Sequence, residues 1–143
     1  MKRTLYESVG GLPTLKMVHK IFYDKVYAHP WLLQFFSGHD QKVIEDKQTS
    51  FMAAKMGGPD PYLGKDVTLV HEAMYITHEL FAVRKELLEE ALNEVGIDET
   101  SRARWLRIDS AFKQQIIKKS INSMYNNDWK FKKPIIIPKP TED

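Results

Sequence analysis

Apolar side chains recur in this chain at spacings of three and four, and almost nowhere does hydrophobicity alternate with period two for more than a few residues. A helix repeats about every 3.6 residues and a half-buried strand about every two, so the pattern predicts an all-α fold. Glycine and proline divide it into pieces. A brief helix around Thr4–Ser8 is expected to end at Gly10-Gly11, where a sharp change of direction is sterically allowed. A second helix runs from near Pro13 to His29, stopping before Pro30, with Leu15, Val18, Ile21, Phe22, Lys25 and Val26 along one face. Pro30 opens a short helical turn through the apolar cluster Trp31, Leu32, Leu33, Phe35 and Phe36. Asp40 caps a third helix to about Lys55, with Val43, Ile44, Lys47, Gln48, Phe51 and Met52 on one side.

Gly57-Gly58-Pro59-Asp60-Pro61, followed by Gly64, is the strongest breaker, so Met56 to Lys65 reads as a loop. A short helix containing His71 leads to Ile76-Thr77, where Thr77 caps a helix that stops at Gly96. Asp98 or Thr100 caps a last long helix holding Trp105, Leu106, Ile108, Phe112, Ile116, Ile117 and Ile121, fraying near Asn126-Asn127. Pro134, Pro138 and Pro140 exclude a regular helix beyond it. Residues 1–127 are therefore expected to form one domain, and 128–143 an extended tail that either docks or floats.

With 143 residues, 43% hydrophobic and 28% charged, the chain is long enough for a single core. Lysine and arginine number 21 against 19 acids, and this scattered excess of +2 argues against a nucleic-acid partner. The absence of cysteine excludes disulfides, thiolate metal sites and cysteine nucleophiles, leaving five histidines as nitrogen ligands. No signal-length apolar run opens the chain and no stretch approaches a membrane span, so a cytoplasmic location without a membrane partner is expected. Phosphate-loop, dinucleotide, HExxH and nucleophile-elbow motifs are all missing. His71 and His78 are seven apart, but Thr77 starts a new helix between them, which disfavours a two-histidine metal site. From local features alone, His71 between Leu69-Val70 and Ala73-Met74 reads as a core histidine, and Tyr23 as a core tyrosine.

The wider order of motifs changes that reading. Phe22-Tyr23, Phe35-Phe36, Lys47-Gln48 with Phe51, the Gly57–Gly64 loop, Val67 to His71, Ile76-Thr77 and Leu80-Phe81 together resemble the truncated haemoglobin family, group I in particular, over about residues 4–121. The resemblance implies a two-over-two helical sandwich enclosing a b-type haem. It implies His71 as the proximal iron ligand, with its other ring nitrogen needing an acceptor, and Phe36 as the aromatic lying flat on the haem. Tyr23 and Gln48 match distal donors, and Ile44 shares the face of Gln48 one turn earlier. Lys47 falls at the pocket rim, where it could pair with a haem propionate or act as a sixth iron ligand. Phe35, Phe51, Val67, Leu69, Ile76, Leu80 and Phe81 are implied as pocket lining, though each would equally serve a haem-free core.

The function implied is reversible binding of dioxygen or nitric oxide, with carbon monoxide as a further diatomic ligand, by a monomer engaged in oxygen transport or nitric oxide handling. One alternative is a nitric oxide dioxygenase, which would need an external reductase because the chain has no flavin or nicotinamide motif; another is a gas or redox sensor. The sequence also departs from the family. Arg84 stands where relatives usually carry an apolar residue or a tryptophan, Asp109 where they carry an aliphatic one, and Tyr75 replaces a small residue. Arg84 and Asp109 are expected to pair across two helices.

Overall fold

The computed structural model describes residues 3–64, 74–117 and 135–140, and every regular element among them is helical. Local capping chemistry sets most of the boundaries. Helix α1 (Leu5–Val9) starts where the Thr4 side chain accepts from the Glu7 amide, and Gly10, at φ 108°, turns the chain straight into α2 (Gly11–Ala28). Helix α2 begins two residues before the expected Pro13. Proline costs nothing at that position, because the first four amides of a helix have no intrahelical acceptor anyway. A 3₁₀ turn (Leu32–Phe36) follows Pro30. Asp40 accepts from Val43 N–H to start α3 (Gln41–Lys55). Thr77 accepts from Leu80 N–H to start α4 (His78–Val95), and left-handed Gly96 ends it.

Asp98, rather than Thr100, caps α5 (Glu99–Ala111), accepting from Ser101 N–H. The expected continuous last helix is corrected here. It breaks at Phe112, resumes for one turn as α6 (Lys113–Ile116), and gives way at Ile117 to extended backbone bridged to Ile76. The expected short helix around His71, the end of the last helix and the boundary at 127/128 all lie outside the described residues.

Helix α2 lies at the centre, packed on α3 and on α4, while α5 lies against α4 and α1. Its Leu15, Val18, Phe22 and Val26 are sealed among Met52, Leu88, Ala91, Leu92 and Trp105. Each large apolar side chain so buried contributes about 1.5–3 kcal/mol. The segment 135–140 docks. Tyr75 N–H donates to the Ile135 carbonyl at 2.8 Å, Trp31 Nε1–H donates to the Ile137 carbonyl at 2.9 Å, and Lys139 pairs with Glu79 at 2.7 Å. No helix among the described residues is long and apolar enough to cross a membrane.

Candidate functional site

Tyr23 occupies the buried face of α2, 5% exposed, because it follows Phe22 and precedes Val26 by three in the helix's apolar stripe. Its ring meets those of Phe22 and Phe36 edge-on, at centroid distances of 4.7 and 5.9 Å. Phe36 comes from the 3₁₀ turn and also tilts against Tyr27 at 5.4 Å. None of the hydrogen bonds among the described residues involves the Tyr23 hydroxyl, unlike that of Tyr27, which donates to the His39 carbonyl. Burial pushes the Tyr23 phenol up to about 12, against an opposing pull from the Arg84 charge.

On α3, Ile44 and Gln48 follow one another at one-turn spacing, both half-buried, and Lys47 beside them is exposed. The Gln48 amide, like the Tyr23 hydroxyl, enters no hydrogen bond among the described residues. Phe51, one turn on, packs against the rings of Tyr62 and Phe112 at 5.2 and 5.1 Å. Phe35 is buried in the 3₁₀ turn, Leu80 and Phe81 are buried in the first turn of α4, and Ile76 just before it is half-buried. Val67, Leu69 and His71 lie outside the described residues.

The expected Arg84–Asp109 pair is present, with Nη1 2.7 Å from Oδ2. The Asp109 side chain is 5% exposed and that of Arg84 26%. The guanidinium carbon stands 5.3 Å from the Phe22 ring centre and 5.7 Å from that of Phe81. Beside this cluster is a residue that the apolar stripe conceals: His19, one turn before Tyr23, is 1% exposed. Its Nδ1 is 2.7 Å from Thr49 Oγ1, and its ring packs edge-on to Trp105 at 5.9 Å. Burial, aided by the Arg84 charge, pushes the imidazole down to about 3, so it is neutral. Its Nε2 and the Nε1 of Trp105 have no partner among the described residues. A histidine at a position the helical period assigns to the core was the one signal of this group in the sequence.

Residues 4–118 match the family described as Bacterial-like globin. The chain is 35% identical over 94 residues to the group 1 truncated hemoglobin GlbN of Mycolicibacterium paratuberculosis, covering 66% of this chain and 69% of that one. It is 34% identical over 95 residues to the group 1 truncated hemoglobin of Tetrahymena pyriformis, 66% of this chain and 78% of the relative. This chain belongs to the truncated haemoglobins. The fold agrees: the solved Fe(III) form of the Tetrahymena pyriformis protein superposes with a TM-score of 0.76 at 28% identity, covering 82% of this chain and all of that one (100%). The hemoglobin of Chloroflexus aurantiacus gives 0.74 at 27% identity, over 82% and 100%.

Membership of the globins implies haem binding and, in general, binding of small gases. The described part of this truncated haemoglobin fits such a group. Between α2, the 3₁₀ turn, α3 and the start of α4, its side chains are mostly aromatic and aliphatic, and two polar groups among them, the Tyr23 hydroxyl and the Gln48 amide, are left without a described protein partner. A polar group set among apolar side chains favours a ligand that can accept its hydrogen bond.

Proposed function

We propose that this truncated haemoglobin holds a b-type haem on His71 and reversibly binds dioxygen or nitric oxide on the side bearing Tyr23 and Gln48. The haem supplies the iron to which the diatomic attaches, and the protein supplies the rest. One observation carries the reading: the Tyr23 phenol is walled by two phenylalanine rings, made a still weaker acid by burial, and free of any hydrogen bond to a described residue. A phenol in that condition is a ready donor to a ligand carrying partial negative charge. Gln48 adds a second donor, and Ile44 on the same face of α3 restricts the space beside it. Phe35, Phe36, Phe51, Ile76, Leu80 and Phe81, with Val67 and Leu69 as the resemblance assigns them, would provide the apolar lining that strengthens both hydrogen bonds. Lys47, exposed on α3, is the residue we assign to pair with a propionate or to serve as a sixth iron ligand.

Tyr23→Phe tests the reading. One neutral hydrogen bond is worth about 1 kcal/mol, so dioxygen should leave the variant about fivefold faster than the parent, measured by stopped-flow displacement with carbon monoxide. An unchanged release rate would contradict the role given to Tyr23.

A further inference from the structure

We propose that Arg84, braced by Asp109, is the specificity-determining cation of the ligand site, favouring small anionic ligands over neutral ones. The inference rests on the haem reading above and deepens it. Its first support is position. The guanidinium lies on the Phe22 ring, and that ring in turn meets the Tyr23 ring edge-on at 4.7 Å, so cation, aromatic and phenol form one contiguous run of contacts. Phe81, beneath the other contact of Arg84, is among the residues assigned to the pocket wall.

The second support is asymmetry within the pair. Asp109 is almost wholly buried whereas Arg84 is about one-quarter exposed, so the carboxylate end of the dipole is enclosed and the cationic end is the accessible one. The third is spare hydrogen-bonding capacity. A guanidinium has about five N–H donors. Among the described residues only Asp109 accepts from Arg84, through one short contact, which leaves donors for an anion to use. The pair is neutral as a whole, yet its near end is positive, and rings on both sides lower the local permittivity. Consistent with this, the pull of Arg84 on the Tyr23 phenol outweighs the opposing push from Asp109, and the same charge bears on His19.

An arginine whose only role is to hold α4 to α5 would not discriminate between ligand charges; one that acts on the ligand site would. The test uses the hemin-loaded ferric protein, with azide as the anionic probe and imidazole as the neutral one. Arg84→Met combined with Asp109→Asn removes both charges together, leaving no unpaired buried carboxylate. It should weaken azide about tenfold while moving imidazole by less than about twofold. Asp109→Asn alone frees the cation and should tighten azide relative to the parent. Arg84→Lys, which keeps the charge but not the fork, should retain part of the anion preference. Loaded variants with the azide-to-imidazole ratio of the parent overturn this inference alone. A parent that takes up no hemin overturns the haem reading and this inference with it.

Discussion

Acidification should destabilise this fold through His19, by an amount the structure lets one work out. The imidazole titrates near its ordinary 6.5 in the unfolded chain but is pushed down to about 3 in the fold, first by burial and then by the Arg84 charge. Between those two values the unfolded state binds a proton that the folded state refuses. The contribution of His19 to stability is therefore complete above about pH 6.5 and is lost as the pH falls toward 3. At about pH 5 the deficit is roughly 1.5 pKa units, or about 2 kcal/mol, which for a chain of this length amounts to about 4–8 °C in Tm. Urea unfolding of the haem-free protein at about pH 8 and about pH 5 measures it, with His19→Leu as the reference that cannot titrate there. Leucine forfeits the 2.7 Å contact to Thr49 and so lowers stability at every pH; the quantity read is the difference in pH dependence between the two proteins. The reasoning is refuted if parent and His19→Leu lose equal stability between the two pH values, because the buried imidazole would then not be the group that resists protonation.

Other perturbations have separate readouts. Arg84→Leu leaves the Asp109 carboxylate enclosed without its partner and should cost about 3 kcal/mol of unfolding free energy, most of it regained in the Arg84→Leu/Asp109→Leu double variant; additive losses would show that the pair is not coupled. Thr77→Ala removes the side-chain acceptor for Leu80 N–H and should cost about 1 kcal/mol in the same assay. Ile137→Asp puts a charge where a half-buried isoleucine packs on the core and should make the C-terminal segment markedly more sensitive to limited proteolysis; unchanged cleavage would mean that the docking contacts to Trp31 and Tyr75 do not hold the segment in solution.

Where a boundary depends on a side chain and a backbone amide three residues away, the sequence made most of it legible: Asp40 and Thr77 cap as expected and Asp98 is one of the two candidates offered, while Thr4, read as the first helical residue, is itself the cap. The Arg84–Asp109 pair was likewise readable, since two unexpected charges on neighbouring helices have few other ways to be buried. The break at Phe112 was not. The helical period continues through it, and what the structure adds at the break is a long-range contact, the Phe112 ring packing on Phe51. Docking of residues 135–140 was also out of reach, because it depends on Trp31 meeting a carbonyl 106 residues later. His19 shows a third kind of limit. The apolar stripe of the second helix is read without it, and only three-dimensional contacts show that it is buried, that Thr49 satisfies one ring nitrogen and that Arg84 adds to the cost of charging it. Tyr23 and Gln48 owe their reading to the order of motifs along the chain, since each alone is an ordinary half-polar core residue.

The central claim, a haem held by His71, is tested most directly by titrating hemin into the haem-free parent and into His71→Gly, followed by absorption of the ferrous forms. The parent should take up one equivalent and develop a sharp Soret band, which His71→Gly should lose and added imidazole should restore by filling the vacated ligand position. A His71→Gly protein with the hemin affinity and ferrous spectrum of the parent would contradict the account.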